Sequence, residues 1–291
     1  MTVPTSLSPG RRLRDAWQRQ PIAIPGVFNA LVAKMAERLG HQAIYLSGGA
    51  LSATYGVPDV GLLTLSEFVH EARLLARATS LPLLCDADTG FGEALNVERT
   101  VRLFEEAGVA GIHLEDQELP KRCGHLSGKS LVSAETMVAK LRAAVAAKRD
   151  RDFVIIARTD ARGVHGMEEA IRRAKLYLQA GADAIFPEAL ESPDEFAEFA
   201  KAVEAPLLAN NTEFGRSPNL TVEAYGALGY CMVLFPLTAF RSALKAAHDT
   251  LADIKTLGHQ RDRIAQMLTR GELYELLGYK DYEARDRSYF G

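Results

Sequence analysis

The sequence predicts an α/β fold, a single closed (β/α)8 barrel of the TIM type across residues 1–291 with extra C-terminal helices, on three observations. A unit recurs without close identity: an amphipathic helix, a glycine, two or three residues, then a short apolar run ending in polar residues. Eight such nearly continuous apolar runs alternate with helical stretches, which implies a parallel sheet buried on both faces. The polar residues then cluster at the ends of the runs, where a barrel of this kind carries its chemistry. A doubly wound open sheet is the alternative.

In chain order, "GRRLRDAWQRQ" places Arg11, Leu13, Arg14 and Trp17 on an amphipathic helix that covers the fold, a better reading than a transit peptide. The apolar run "IAIPGV" (22–27) follows. "MAERLGHQAIYLSGG", "LFEEAGVAGIHLEDQ", "LYLQAGADAIFPEA" and "YGALGYCMVLFPL" each pair a helix with a run, and Gly40, Gly108, Gly181 and Gly229 stand where a left-handed cap ends the helix. "LPLLCDAD" (81–88), "FVIIARTD" (153–160) and "APLLANN" (205–211) complete the set of eight. Helices such as "NVERTVRLFEEAG" and "SAETMVAKLRAAVAAK" show apolar spacings of three and four. The tail "HQRDRIAQMLTRGELYELLGYKDY" is helical in period but has no strand, so it is expected to dock elsewhere or on a neighbouring subunit.

Hydrophobic residues make up 47% of the chain and charged residues 24%, enough apolar material for a large core. A net charge of -3 offers no broad attraction to nucleic acid or anionic membrane, so an anionic ligand must be caught by a local cluster. The 3 cysteines, Cys85, Cys123 and Cys231, lie far apart and form no C-x-x-C pair, which favours a reducing, cytoplasmic setting over a disulfide framework or zinc ribbon. No apolar run reaches the roughly 18 residues that span a bilayer.

Asp86 and Asp88, two apart on one run, should share a face, where two carboxylates repel and need a cation. With Glu115 and Glu188 ending other runs, the set suits Mg2+, with Mn2+ possible, better than zinc. A lone D-x-D would otherwise be a helix cap or salt-bridge partner. Arg158, Arg241, Asn210 and Thr212 can hold ligand carboxylates, or the arginines can pair with Asp160, Glu188 or Glu213. "SGG" (Ser47, Gly48, Gly49) either lends amides to a carboxylate or simply turns the chain. Asp59 belongs to a loop over the site or to a surface turn. Cys85 and Cys231 read as core residues. Cys123 differs: Lys121, Arg122 and His125 favour its thiolate, and no second cysteine lies near. A proton donor at a carbanion-like centre is its most coherent role; a redox or metabolite-sensing thiol in a non-catalytic barrel is the competing reading.

"KRCGH" (121–125), "YLSGG", "DADTGFG" (86–92) and "LANNTEFG" (208–215) together resemble the isocitrate lyase and phosphoenolpyruvate mutase superfamily across nearly the whole chain. Within it, "EDQELPKRCGHLSGKSLVS", "ARTDARGVHGMEEAI" and "ELYELLGY" are most similar to the branch that splits 2-methylisocitrate into pyruvate and succinate in propionate catabolism. The branch acting on 2,3-dimethylmalate is the nearest competitor. The resemblance implies Mg2+ on Asp86 and Asp88, and Cys123 as the acid. It implies substrate contacts from Ser47 to Gly49, Cys123, Gly124, His125, Arg158, Glu188, Asn210, Asn211, Thr212, Arg241 and Arg270. Tyr45, Glu115 and Glu188 are open candidates for the base. It further implies a small tricarboxylate as substrate and a homotetramer that exchanges C-terminal helices. Asn211 departs from the apolar residue common in that branch.

Overall fold

The computed structural model describes residues 7–122, 124–126 and 128–290. The strands are β1 (Ile22–Pro25), β2 (Ile44–Leu46), β3 (Leu83–Asp86), β4 (Gly111–Glu115), β5 (Val154–Thr159), β6 (Ala184–Pro187), β7 (Leu208–Asn210) and β8 (Met232–Phe235). All pair in parallel, in the orders β1-β8-β7 and β2-β3-β4-β5-β6. Single parallel bridges, Gly26 to Tyr45 and Ile185 to Leu207, join the two sets into a closed ring. The expected barrel is the observed one, and the open sheet is excluded. The strands are shorter than the apolar runs. Leu81–Asp88 pairs only from Leu83 to Asp86, because Asp88 (φ 45°) and Gly90 (φ 94°) swing the backbone out of the ladder.

The helices are α1 (Pro9–Arg19), α2 (Ala30–Arg38), α3 (Gly48–Thr54), α4 (Leu65–Ala78), α5 (Ala94–Ala107), α6 (Ala134–Ala147), α7 (Ala161–His165), α8 (Met167–Gln179), α9 (Pro193–Ala202), α10 (Val222–Ala227), α11 (Thr238–Leu257), α12 (Arg270–Leu277) and α13 (Tyr279–Tyr289). The main core lies between strands and surrounding helices, with Phe104, Leu141, Tyr177 and Phe199 facing Ile112, Ile155 and Ile185. Gly40, Gly108, Gly181 and Gly229 all have φ between 83° and 102°, as the repeated helix, cap and strand grammar requires.

A second core fills the barrel itself and is closed at one end by α1. Ser8 caps that helix by accepting from Arg11 N, and Leu13, Ala16 and Trp17 are buried among Ile22, Ile24, Leu84, Val154 and Met232. Arg14 pins it: Nε donates to Asp152 O at 2.9 Å, and the guanidinium pairs with Asp183 at 2.8 Å. Gly10 is required there, because a Cβ would lie 2.3 Å from Asp152 O.

The tail is different. Of α11 only Phe240 is buried, and α12 and α13 bury nothing. Leu251, Ile254, Leu257, Ile264, Leu268 and Tyr282 are exposed. An Arg38–Glu275 ion pair at 2.6 Å ties α12 to α2 of the same chain. Among the described residues no helix is long and apolar enough to cross a membrane.

Candidate active site

The open end of the barrel holds a cavity of about 280 Å³ lined by Tyr45, Ser47, Asp86, Lys121, Arg158, Glu188, Asn210, Thr212 and Arg241 among others. Residues at or next to strand ends build it, Tyr45 from β2, Asp86 from β3, Arg158 from β5, Glu188 just after β6 and Asn210 from β7, which is why a strand-loop-helix repeat of modest sequence makes a dense polar site. Asp86 ends β3 and is fixed by two amides: Asp88 N donates to Oδ1 at 2.9 Å and Gly48 N to Oδ2 at 3.2 Å. Close approach at Gly48 needs glycine, since a Cβ would lie 2.8 Å from Asp86 Oδ2. Ser47 caps α3, accepting from Ala50 N at 3.3 Å. The Lys121 ammonium, almost fully buried, sits 2.7 Å from Asp88 Oδ1 and 2.6 Å from Asp59 Oδ1.

Across the cavity, Arg158 at the end of β5 is the hub. Its guanidinium lies 3.3 Å from Glu115, 3.0 Å from Asp160 and 3.3 Å from Glu188, and it rests on the Phe186 ring. Glu188, at the end of β6, also takes His125 Nε2 at 3.0 Å and Asn210 Nδ2 at 3.3 Å. Gly124 packs over this pair so tightly that a Cβ would lie 2.4 Å from both Arg158 and Glu188. At the floor, Tyr45 Oη and His113 Nε2 are 2.7 Å apart, with His113 Nε2 3.8 Å from Asp86.

Burial sets the electrostatics. It raises the Asp88 carboxyl to about 7 against the pull of Lys121, and pushes Glu115 well above the usual carboxylate range against Arg158. Glu188 goes the other way. Burial would raise it, but Arg158 and His125 hold it well below that range. Burial lowers His113 to about 4, opposed by Asp86, and raises the Tyr45 phenol well above its usual value. The site thus combines a neutral imidazole and phenol with acids driven apart by their neighbours.

The family model for phosphoenolpyruvate phosphomutase matches residues 13–255. The chain belongs to the phosphoenolpyruvate phosphomutase family. Among curated relatives of this family member, 2-methylisocitrate lyase from Aeropyrum pernix is 53% identical over 279 residues, covering 96% of this chain and 90% of that protein. The 2-methylisocitrate lyase of Escherichia coli is 47% identical, covering 96% and 95%. Among solved structures, 2,3-dimethylmalate lyase superposes with a TM-score of 0.90 at 33% identity, covering 98% and 97%. Phosphonopyruvate hydrolase, in complex with oxalate and Mg2+, superposes with a TM-score of 0.89 at 36% identity, covering 98% and 100%.

In this phosphomutase-family chain the structure gathers most of the residues expected at the site. Tyr45, Ser47, Gly49, Asp86, Gly124, His125, Arg158, Glu188, Asn210, Thr212 and Arg241 line one cavity, and Asp59 joins them. Gly48 and Glu115 stand immediately behind, through Asp86 and Arg158. Asn211 points away, its Nδ2 donating to Leu220 O at 2.9 Å, so it braces the following loop. Arg270 opens α12 on the exposed tail and does not line the cavity of its own chain. Cys123 lies outside the described residues. Cys85 is buried in β3, whereas Cys231, just before β8, is only half-buried.

One expectation changes. Asp88 lies past the strand rather than on it, since β3 ends at Asp86 and Asp88 has φ 45°, yet the two carboxylates still converge, a Cβ on Gly48 lying 2.8 Å from Asp86 Oδ2 and 3.4 Å from Asp88 Oδ1. The cation expected for the acidic pair is in part supplied by the protein, as Lys121. Lys121 pairs with these carboxylates, and sequence offered no signal for this because its partners are 33 and 62 residues away in the chain. Of the two roles left open for the arginines, both make the protein pairings, Arg158 with Asp160 and Glu188 and Arg241 with Glu213 at 2.9 Å.

For the divalent ion, the donors are all oxygen, and Glu115 Oε1 is buried with no hydrogen-bond partner. This all-oxygen set fits Mg2+, which keeps much of its water and uses one or two carboxylates.

Proposed function

We propose that the chain is a Mg2+-dependent carbon-carbon lyase that cleaves 2-methylisocitrate to pyruvate and succinate. The observation that carries the substrate is the extended identity with curated 2-methylisocitrate lyases over nearly the whole chain. The cavity supports the reaction class. A small polyanion is matched by Arg158 and Arg241, which can exchange Glu188, Glu115 and Glu213 for ligand carboxylates. Asn210, Thr212 and the amides beside Ser47 orient it. Asp86 and Asp88 would hold the metal, with Glu115 as a further oxygen donor; when bound it would stabilise negative charge on the oxygen that becomes the ketone of pyruvate.

The substrate hydroxyl must lose a proton as the adjacent carbon-carbon bond breaks. Tyr45 fits that role, because its phenol faces the cavity and can pass a proton to neutral His113 at 2.7 Å without a free phenolate being stored. Glu188 suits it poorly, being strongly acidic and committed to Arg158 and His125. The bond electrons move to the carbon that becomes the methylene of succinate, beside a carboxylate held by the arginines. Cys123 donates its proton there, and the thiolate recovers one from water or the relay.

The exposed apolar tail supports a homotetramer with exchanged C-terminal helices, in which Arg270 would reach a neighbour's site. The same reading places the enzyme in the cytoplasm, in propionate catabolism through the methylcitrate cycle. Purified protein with Mg2+ and 2-methylisocitrate should release pyruvate and succinate in equal amounts. The structural match to 2,3-dimethylmalate lyase supports a second reading, and turnover of 2,3-dimethylmalate without turnover of 2-methylisocitrate would select it.

A further inference from the structure

Behind the cavity wall, between the ends of β4 and β5 and helix α8, lies a second set of polar side chains sealed from solvent. The strand register pairs Glu115 with Arg158, and alternation then turns Asp116 and Thr159, one residue further on, outward to α8. Arg173 and Tyr177, one turn apart on α8, meet them there. The fully buried Asp116 carboxylate accepts from Asp160 N at 2.9 Å through Oδ1. Its Oδ2 accepts from Thr159 Oγ1 at 2.8 Å, Tyr177 Oη at 2.8 Å and Arg173 Nη1 at 3.1 Å. Arg173 is held in turn, donating to Glu169 through Nε at 2.8 Å and to Val132 O through Nη1 at 2.9 Å. The layer around this group is the main apolar core, and a buried ionic cluster there adds little net stability over apolar side chains of the same shape. Stability alone does not account for it.

Asp160 links this cluster to the cavity. Its carboxylate takes Arg158 Nε at 3.0 Å and Nη2 at 3.3 Å, a two-point grip that fixes the plane of the guanidinium. Glu115 and Glu188 also approach that guanidinium at 3.3 Å, but these are the carboxylates that a bound ligand would replace. Asp160 would stay as the fixed partner. It stands where β5 turns into α7, and Asp116 holds that turn on both sides, through the Thr159 hydroxyl and the Asp160 amide. Thr159 Oγ1 tightens the turn further by accepting from Ala161 N at 3.2 Å. Lys129 Nζ, 2.6 Å from Asp160 Oδ1, supplies charge to the same carboxylate, whereas Asp116 fixes its backbone.

We infer that Asp116, backed by Arg173 and Tyr177, is a positioning residue that sets the Arg158 guanidinium for the ligand carboxylate. The inference rests on the reading of Arg158 as a carboxylate clamp in the proposed lyase. A two-point arginine-carboxylate pair depends on plane as well as distance, and such groups work only when held within about 0.5 Å of the productive geometry. Asp116→Asn keeps the size of the side chain but brings an amide NH2 to one of two places where only donors arrive. Either the Asp160 amide or the Thr159, Tyr177 and Arg173 donors then lose their acceptor. Tyr177→Phe removes one donor and leaves the other three.

The test uses the full-length protein with Asp116→Asn, Tyr177→Phe and Arg158→Lys, and with Phe104→Leu as a change in the apolar core outside the cluster. Succinate binding, measured by calorimetry with Mg2+ present, should weaken about 10-fold in Asp116→Asn and about twofold in Tyr177→Phe, with kcat/KM falling by at least the same factors. Phe104→Leu should lower the melting temperature but leave both quantities unchanged per folded molecule. A crystal structure of Asp116→Asn should show the Arg158 guanidinium displaced by more than about 0.5 Å. A lower melting temperature in Asp116→Asn with succinate binding, kcat/KM and the guanidinium all unchanged would overturn the inference. Equal losses of binding in Phe104→Leu would overturn it too, since any weakening of the fold would then have the same effect. If Asp116→Asn does not fold, Tyr177→Phe carries the same measurements and the same crystallographic comparison. Unchanged succinate binding and turnover in Arg158→Lys would instead remove the clamp reading, and the position of the guanidinium in the variant structures would then decide whether Asp116 sets it.

Discussion

The two ends of this barrel are built from the same strands but obey opposite rules. At the end closed by α1, Leu13 and Trp17 complete an interior of Ile22, Ile24, Leu84 and Val154, and the few polar groups, such as Arg14 on Asp152 and Asp183, are satisfied at the edge. At the open end, within a few residues along each strand, the interior turns into Asp86, Asp88, Glu115, Lys121, Arg158 and Glu188, all nearly inaccessible to solvent. Buried charge contributes little net stability even when paired, because desolvation offsets the attraction. The closed end therefore carries the stability that lets the open end hold charges in a frame fit for a ligand.

This contrast can be broken from either side. The largest effect expected is at the open end: Cys123→Ser should lower turnover by about 1,000- to 10,000-fold, measured as pyruvate release, while the melting temperature stays near that of the parent. Near-normal turnover would take Cys123 out of the chemistry. At the closed end, Trp17→Ala should cost about 3–5 kcal/mol in denaturant unfolding and leave kcat per folded molecule unchanged. A large loss of kcat at full stability would mean the two ends are not separable.

Glu188→Gln lies between these cases, and its effect depends on pH. Its carboxyl titrates lower in the folded chain than its usual 4.5, so its pairing with Arg158 and His125 stabilises fully above about 4.5 and fades as pH falls below that value. Melting of parent and variant should differ by about 3 kcal/mol near pH 7, and the gap should narrow in acid. A gap that widens on acidification would reverse the assigned sign. The smallest effect expected is from Asp86→Ala, which should lower turnover about 100-fold and raise the Mg2+ concentration needed for half activity. A chelator should abolish the parent activity and added Mg2+ restore it; an unchanged Mg2+ response in the variant would remove Asp86 from the metal site.

Much of the barrel was legible along the chain. The apolar runs, the helical spacings and the left-handed Gly40, Gly108, Gly181 and Gly229 are local signals, because backbone conformation and burial period are properties of neighbouring residues. The polar residues closing each run were legible for the same reason, so Asp86, Arg158, Glu188 and Asn210 could be gathered before any contact was known. That Asp88 lies past the strand end was not legible, because a turn, not alternation, sets its direction, and a single left-handed residue leaves no periodic trace.

What pairs with what was not legible. Lys121 between Asp59 and Asp88, Lys129 between Gly124 and Asp160, and the turning away of Asn211 to Leu220 join residues that are remote or unpatterned in sequence. Sequence by itself determined the architecture and the kinds of groups at its rim, since these follow from local propensity and the alternation of buried segments. Only the tertiary structure decided which charges meet, because a buried ion takes whichever partner the closed ring brings within about 3 Å, and that distance is fixed by all eight strands together.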